Sequence, residues 1–197
     1  MRKIRILAQI SLDGVIQAPG GRGEGGDDYP HGGWTAPYRS AAGGEAVAEA
    51  QGKDFDLLIG RRTYDIFAGY WPTAGNGLLA NGLNAATKYV ATHRPDGLPW
   101  GPVGDLGTDI MAGVRRVKSE GDRDMVVWGS GAFATALLGE GLVDEVVLFV
   151  YPVLLGSGKR FFEGSANPRE LALVSTKAMT SGVLTNTYRH VGSLRIE

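Results

Sequence analysis

Two apolar segments that each end in glycine and run directly into a helix-compatible segment constrain the fold most. Phe55 to Gly60 (FDLLIG) is followed by RRTYDIF, and the run MVVWG, which ends at Gly129, is followed by an apolar segment from Ala132 to Leu138. Short apolar runs of this kind are typical of buried strands, and strands that alternate with helices form parallel sheets. The sequence therefore predicts an α/β protein.

The other elements follow the same alternation as far as about Leu142. Strand-like and helix-like patterns occur in turn, with a 3.6-residue apolar period through Ile110, Val114 and Val117. The predicted elements are a strand over Ile4 to Leu12, a helix over Pro37 to Gln51, a strand over Asn84 to Thr92 and a helix over Ile110 to Glu120.

After Leu142 the patterns predict strands only. VDEVVLFVYPVLLG reads as one long strand, and Pro152 within it indicates a bulge or a place at the sheet edge. Leu171 to Thr180 and Val183 to Val191 alternate and are predicted to pair as an antiparallel hairpin. We therefore expect a mostly parallel sheet with antiparallel strands at its C-terminal end.

Composition limits the classes of partner. The 197 residues carry a formal net charge of -1 and include no cysteine. A balanced charge offers no basic surface for nucleic acid or an anionic membrane, and the lack of cysteine excludes disulfides, thiolate metal sites and cysteine nucleophiles. The three histidines lack metal-ligand spacing, so no metal site is predicted. We expect one cytoplasmic domain over residues 1–197.

The turn after the strand MVVWG has three readings. Gly129-Ser130-Gly131 with Ala134 fits the glycine spacing of a dinucleotide-binding βαβ unit. No acidic residue stands about 20 positions downstream to hold a ribose, which makes that unit an unlikely match. The glycines could instead form a phosphate-binding turn of another fold, or a plain turn that needs positive φ.

Arg61, Arg62 and Thr63 open the helix after Gly60. Cations at a helix N-terminus oppose the helix dipole, and they are favourable there if an anionic ligand lies beside them. The alternative is that both arginines are solvated and Thr63 caps the helix. Thr92-His93-Arg94 adds another cation at a strand end. Two such junctions in one sheet predict an elongated anion such as a dinucleotide.

The chain resembles the dihydrofolate-reductase-like superfamily, and most of all the C-terminal reductase domain of the bifunctional riboflavin-biosynthesis deaminase/reductase. The resemblance rests on SLDGVI, LLIGRRTYDIF, VVWGSGAFATALL and DEVVLFVYPVLLGSGKRFF, in that order. It implies a three-layer fold with helices on both faces of the sheet, and NADPH as hydride donor to a small heterocyclic, pyrimidine- or pterin-like substrate.

The same resemblance implies cofactor-binding roles along the chain. Backbone groups of Gln9 and Ile16 would meet the nicotinamide, and the helix start after the second strand would hold phosphates. The remaining positions would line the adenosine end and cradle the pyrophosphate. The implied residues are Gly60, Arg61, Arg62, Thr63, Thr92, His93, Arg94, Gly129, Ser130, Gly131, Ala132 and Phe133.

The sequence says less about which residues bind the substrate and which residue donates a proton. Dihydrofolate reductases carry a carboxylate on the helix before the GR-T segment, and Glu45 or Glu49 stands nearest to that place. Asp13 is the other candidate acid, and each of the three has an ordinary reading as a turn or surface charge. Lys159 could bind a substrate phosphate or be solvated. Trp34, with Trp71 and Trp100, could wall a ring pocket or pack in the core.

The predicted function is an NADPH-dependent reductase, with an aminouracil ribosyl phosphate or a folate-type compound as alternative substrates. A nucleotide-binding protein without turnover is the other class. The resemblance also implies a homodimer that pairs near VVLFVYPVLL. The glycine-rich stretch from Ala18 to Gly33 predicts a mobile loop beside a site or a disordered insertion.

Overall fold

The computed structural model describes residues 1–24, 28–129, 131–162 and 168–195. Within these ranges the chain forms eight strands and five α-helices. The strands are β1 (Ile4–Ser11), β2 (Phe55–Gly60), β3 (Lys88–Ala91), β4 (Val103–Gly104), β5 (Asp124–Trp128), β6 (Glu145–Tyr151), β7 (Arg169–Ala178) and β8 (Leu184–Ser193). The helices are α1 (Ala41–Gln51), α2 (Arg61–Ala68), α3 (Leu78–Ala85), α4 (Ile110–Ser119) and α5 (Gly131–Gly139).

The strands form one sheet in the order β4-β3-β2-β5-β1-β6-β8-β7. Every pair from β4 to β6 is parallel, and β8 runs antiparallel to both β6 and β7. This arrangement confirms the predicted mostly parallel sheet with antiparallel strands at its C-terminal end.

Alternate side chains of the central strands divide the apolar core into two layers. Ile4, Ile6 and Ala8 of β1 pack on one face with residues of α4 and α5. Leu7 of β1 packs on the other face with residues of α1, α2 and α3. Because successive strand residues point to opposite faces, each central strand contributes to both cores. The predicted helices on both faces are confirmed.

The predicted strand over Asn84 to Thr92 was wrong in its first residues. Helix α3 runs to Ala85, and β3 begins at Lys88. The buried residues Ala80 and Leu83 lie at helical spacing, and a Cβ at Gly82 would lie 3.0 Å from the Gln51 side chain. The LLANGLNA segment is therefore a helix whose glycine permits close packing against the end of α1.

The long strand predicted through Pro152 was also corrected by the structure. β6 ends at Tyr151 and lies inside the sheet, between β1 and β8. Proline has no N–H to donate to a neighbouring strand, so the ladder stops there. The chain stays attached to the end of β1, because the Leu12 amide donates to the Val153 carbonyl at 2.9 Å.

Among the helices within the described ranges, none has the length and apolar character that crossing a bilayer requires.

Candidate functional site

A cleft of about 970 Å³ opens at the carboxyl ends of β1, β2 and β5. Gln9 at the end of β1, Arg62 and Thr63 at the start of α2, and Trp128 and Gly129 at the end of β5 all line it. Adjacent parallel strands that lead into helices on opposite faces leave a crevice at their carboxyl ends, which is where α/β sheets bind ligands. The sheet topology therefore accounts for the position of the cleft.

The cleft has two sides of different chemistry. We call the first the phosphate wall, made of Arg62, Thr63, Gly129 and Gly131. We call the second the ring wall, made of Tyr38, Trp128, Phe149 and Tyr151.

The phosphate wall unites the two strand-to-helix junctions. β2 and β5 are neighbours in the sheet, and a Cβ at Gly129 would lie 3.9 Å from the Thr63 methyl carbon. Gly129 has φ +53°, a backbone conformation that favours glycine. A Cβ at Gly131 would lie only 2.8 Å from Cδ1 of Ile16. The glycines therefore serve positive φ and close packing at once, beside the N-terminus of α5.

The two arginines of α2 have different surroundings. Arg61 donates from Nε to the Asp65 carboxylate at 2.9 Å and from Nη1 to the carbonyls of Arg94 at 2.8 Å and Asp96 at 3.0 Å. Arg62 lines the cleft and Arg61 does not. The N-cap of α2 is Gly60, so Thr63 is not the cap of this helix. Arg61 thus anchors the turn after β3, and Arg62 faces the ligand space.

The predicted adenosine residues lie beside this anchor, outside the lining of the cleft. The Arg94 amide donates to Oγ1 of Thr92 at 3.0 Å, which closes a tight turn after β3. His93 lies within that turn. Because β3 neighbours β2, this turn flanks the phosphate wall. A ligand would have to extend beyond Arg62 to reach it.

The segment that contains Lys159 and Arg160 reaches the cleft because its backbone pairs with the turn after β1. The Ile16 amide donates to the Lys159 carbonyl at 2.9 Å, and the Phe161 amide donates to the Gly14 carbonyl at 3.0 Å. The pairing holds Lys159 and Arg160 against the turn that follows β1, where both line the cleft near Ile16. The predicted substrate residue Lys159 therefore lies near the phosphate wall.

The ring wall is assembled from β5, β6 and the segment before α1. Trp128 and Phe149 stack with centroids 6.5 Å apart and planes 8° apart, and Tyr151 meets Tyr38 edge to face at 5.6 Å. The Trp128 indole N–H donates to Oε1 of the buried Gln51 at 3.0 Å. Rigid aromatic faces with a fixed tilt suit a planar ring ligand.

The candidate acids lie away from the cleft. The Asp13 carboxylate accepts from the Ser11 hydroxyl at 2.6 Å and from the Gly156 amide at 2.7 Å. These bonds, the Ser11 bond foremost, lower the pKa of Asp13 to about 2. Glu45 is exposed on α1, and Glu49 pairs with Lys177 at 3.2 Å. Asp13 is thus ionised at neutral pH and secures a turn.

Charge along the cleft is mostly positive. Among the described residues that line it, Glu24 is the one acid, and its carboxylate accepts from the Gly20 and Gly21 amides, the latter at 3.1 Å. The lining cations are Arg22, Arg39, Arg62, Lys159 and Arg160. Such a lining favours an anionic ligand.

Three further predicted positions, Trp34, Phe133 and Gly60, lie outside the lining of the cleft. Trp34 is buried behind the ring wall, where its indole N–H donates to the Gln17 carbonyl at 2.8 Å. Phe133 packs against the core beneath α5, and Gly60 ends β2 without lining the cleft. Ser130 lies outside the described residues. Gln9, Ile16 and Ala132 do line the cleft.

The glycine-rich segment contributes to the site at its two ends. Gly20 to Glu24 line the cleft, and Gly33 donates to the Ala18 carbonyl at 2.8 Å, which closes the base of the segment. Positions 25–27 lie outside the described residues. The prediction of a loop beside a site agrees with the described part.

Sequence reasoning missed the ring wall. Tyr38, Trp128, Phe149 and Tyr151 were not singled out, because an apolar or aromatic residue looks alike in the sequence whether it packs in the core or lines a cleft. A two-residue period in VVLFVY places Val147, Phe149 and Tyr151 on one face of β6. That period was visible in the sequence, but the cleft beside this face of the sheet was not.

The chain has an α/β fold of the dihydrofolate-reductase-like type. The chain is similar to dihydrofolate reductase from Enterococcus faecalis complexed with NADP(H), at 16% identity and a TM-score of 0.59, over 95% of this chain and 96% of that one. It is also similar to a candidate riboflavin biosynthesis protein from Shewanella sp. PV-4, at 18% identity and a TM-score of 0.71, over 96% and 99% of the two chains.

The family is shown by sequence. Residues 2–185 match the model of the RibD C-terminal domain, so the chain belongs to that family. A curated relative is the uncharacterized protein YyaP from Bacillus subtilis, 26% identical over 140 residues, which are 69% of this chain and 74% of the relative.

Proposed function

We propose that the protein is an NADPH-dependent reductase of a small heterocyclic compound. The observation that carries the proposal is the phosphate wall, where two strand-to-helix junctions meet within one cation-rich cleft. Membership of the RibD C-terminal domain family supports a reductase, and the Enterococcus relative with NADP(H) supports the choice of cofactor.

The residues present fit a dinucleotide. Gly131 lines the cleft at the start of α5, where backbone N–H groups can meet a pyrophosphate, and the Arg62 guanidinium can meet phosphate oxygens by a two-point contact. Gln9 and Ile16 would hold the nicotinamide, and Lys159 adds a cation nearby. When bound, NADPH supplies a hydride. The protein supplies orientation.

The proton that completes a reduction would not come from Asp13 or Glu45. Asp13 is hydrogen-bonded in a turn with its pKa lowered to about 2, and Glu45 is exposed on α1 outside the lining of the cleft. A carboxyl group that is ionised at neutral pH has no proton to give. We infer that water or a hydroxyl group of the cleft takes this role.

The first test is a fluorescence titration with NADPH and NADH on the wild type, Arg62→Ala and Arg61→Ala. We expect NADPH to bind more tightly, and Arg62→Ala to weaken it about 10- to 100-fold because a charge-assisted hydrogen bond is worth about 1.5–3 kcal/mol. Arg61→Ala should cost less, since Arg61 does not line the cleft. No binding of either dinucleotide would sink the proposal.

Turnover separates the alternatives. NADPH oxidation would be followed with an aminouracil ribosyl phosphate, a dihydropterin and simple carbonyl compounds. Oxidation with the first would place the protein beside the riboflavin reductases, and oxidation with the second would assign a folate-type activity. Tight binding of NADPH without oxidation by any of them would favour a nucleotide-binding protein without turnover.

We also propose a homodimer that pairs through β7. β6, near which pairing was expected, is flanked by β1 and β8 and has no free backbone edge. β7 is an edge strand, and its Leu173 and Val174 are 57% and 60% exposed. Exposed edge strands with apolar side chains are templates for pairing.

Light scattering at micromolar concentration checks this assembly. The wild type should have the mass of a dimer, and Leu173→Lys should shift it toward the monomer. Val103→Lys, on the opposite edge strand β4, is the matched control and should leave the mass unchanged. A monomeric wild type would contradict the proposal.

A further inference from the structure

The ring wall contains a hydroxyl group that makes no hydrogen bond to the described residues of the protein. Tyr151 is 8% exposed and lines the cleft, and within the described part of the chain its hydroxyl has no hydrogen-bond partner. The other polar groups of this wall are hydrogen-bonded within the protein. The Tyr38 hydroxyl donates to the Pro152 carbonyl at 3.4 Å, and the Trp128 N–H donates to Gln51 at 3.0 Å. A hydroxyl on a buried side chain that lines a ligand cleft and has no hydrogen-bond partner among the described residues is available to a ligand.

Arg39 brings a positive charge to the same place. It follows Tyr38 in sequence, lines the cleft, and donates from Nη2 to the Gly20 carbonyl. A guanidinium has five N–H donors, so this bond leaves others available. Burial raises the pKa of Tyr151, and Arg39 opposes the rise. The hydroxyl is therefore protonated at neutral pH and acts as a donor.

The ring wall has donors but no free carboxylate beside them. Among the described residues of the cleft, Glu24 is the single acid, and its carboxylate is taken by two backbone amides. A protonated heterocycle needs an anionic partner when it is buried. The wall therefore disfavours a cationic ring and favours a ring that presents an oxygen.

We propose that the ring wall binds a planar ring compound whose acceptor oxygen, a carbonyl or a carboxylate, is held by the Tyr151 hydroxyl and the Arg39 guanidinium. The ring lies in the cleft beside Tyr151, against the part of the ring wall that Trp128 lines. The inference deepens the proposed function, in which the phosphate wall holds the dinucleotide, by naming the class of the second ligand. It separates this site from one that recognises a protonated pterin.

The experiment uses three probes that share a naphthalene ring: 2-naphthoate, 2-acetylnaphthalene and 2-naphthylmethylammonium. Binding is measured by ligand-observed NMR titration on the full chain without cofactor. We expect the carboxylate and the ketone to bind at least tenfold more tightly than the ammonium. Equal affinities, or tighter binding of the ammonium, would overturn the proposal.

Two substitutions, Tyr151→Phe and Arg39→Ala, and one control locate the contact. Tyr151→Phe should weaken the ketone and the carboxylate about tenfold and leave the ammonium unchanged. Tyr38→Phe is the matched control, since it removes a hydroxyl from the same wall that is already bonded to Pro152, and it should leave the order of probes intact. Arg39→Ala should weaken the carboxylate more than the ketone. Equal effects of Tyr151→Phe and Tyr38→Phe would contradict the assignment.

The wild-type order of probes keeps the test decisive if Tyr151→Phe does not fold, which circular dichroism would reveal. A separate NADPH titration distinguishes this inference from the proposed function. Selective probe binding without NADPH binding upholds the inference and removes the reductase. NADPH binding without selectivity among the probes upholds the reductase and removes the inference.

Discussion

The two walls of the cleft differ in how their residues are distributed along the chain. The phosphate wall comes from two short segments, each a strand, a glycine turn and a helix start around Arg62 and around Gly129. The ring wall comes from distant segments that contribute one or two residues each, including Tyr38, Trp128 and Tyr151. The first wall is a product of local backbone geometry, and the second is a product of tertiary packing.

This difference has a functional consequence. Glycine turns and helix N-termini bind phosphate in many unrelated proteins, so the phosphate wall supports a class of cofactor. In the proposed function the ring wall would contact the ring and its substituents, and it would therefore select the substrate. Changes that affect one wall and spare the other therefore test the division.

The largest expected effect concerns a buried lysine behind the phosphate wall. Lys88 is fully buried, donates from Nζ to the carbonyls of Asn84 at 2.7 Å and Gly101 at 2.9 Å, and lies 4.4 Å from the Trp100 ring. The Trp100 amide in turn donates to the Tyr64 hydroxyl of α2 at 2.7 Å. Burial lowers the pKa of Lys88 from 10.5 to about 8.

The unfolded chain holds this proton up to pH 10.5, whereas the folded protein releases it near pH 8. Below pH 8 the folded protein holds the buried charge, which lowers the free energy of unfolding. Between pH 8 and 10.5 the folded protein has released the proton, so this destabilisation disappears. Relative to Lys88→Met, the free energy of unfolding of the wild type should rise across this window by at most about 3 kcal/mol. Urea unfolding at several pH values measures it. Lys53→Met, at an exposed position, is the control, and a flat difference for Lys88→Met would contradict the prediction.

A smaller effect is expected at the turn beside the cleft. The folded pKa of Asp13 is about 2 and its ordinary value is 3.8, so its stabilising bonds are present above pH 3.8 and are lost as pH falls toward 2. Since the side chain is 19% exposed, we expect Asp13→Asn to cost about 1.5 kcal/mol at neutral pH and less at pH 2.5. Urea unfolding at the two pH values measures this.

Asp13→Asn also tests whether Asp13 only stabilises the turn or takes part in catalysis. Asp13→Asn should retain reductase activity at neutral pH, because the carboxylate lies in a turn with Ser11 and Gly156. Loss of turnover with unchanged ligand affinity and unchanged folding would return Asp13 to the list of candidate acids.

The smallest effect should be confined to the ring wall. Gln51→Leu keeps the side-chain volume and removes the acceptor for the Trp128 N–H, at a cost of about 1 kcal/mol in unfolding free energy. Ring probes should bind a few-fold more weakly while NADPH affinity stays the same. Glu45→Gln, exposed on the same helix, is the control and should change neither. A parallel loss of NADPH affinity in Gln51→Leu would mean that the walls are coupled.

The parts of the fold that local pattern could reach were predicted well. The boundaries of β2 agree with the apolar run FDLLIG, and the switch to antiparallel strands after Leu142 was visible in the loss of helical periods. The LLANGLNA helix was missed, since its glycine and asparagine disfavour a helix locally and packing against Gln51 and Phe55 overrides that preference.

The residues of the site also fall into those that the sequence predicted and those whose role only the fold shows. Arg62, Thr63, Gly129 and Gly131 were selected from sequence and line one cleft in the structure. Arg61 looked identical to Arg62 in the sequence, and only the fold directs it to the Asp65 carboxylate and to the turn after β3. Their roles toward a cofactor stay predictions until a titration is made.

The sequence by itself determined the alternation of strands and helices, the family, and the junctions that can meet a phosphate, because these depend on residues a few positions apart. Tertiary structure alone decided which aromatic residues line the cleft, that the Tyr151 hydroxyl makes no hydrogen bond to the described residues, and that Asp13 is held in a turn. Those properties depend on what lies across the sheet, and residues 100 or more positions apart meet only once the chain has folded.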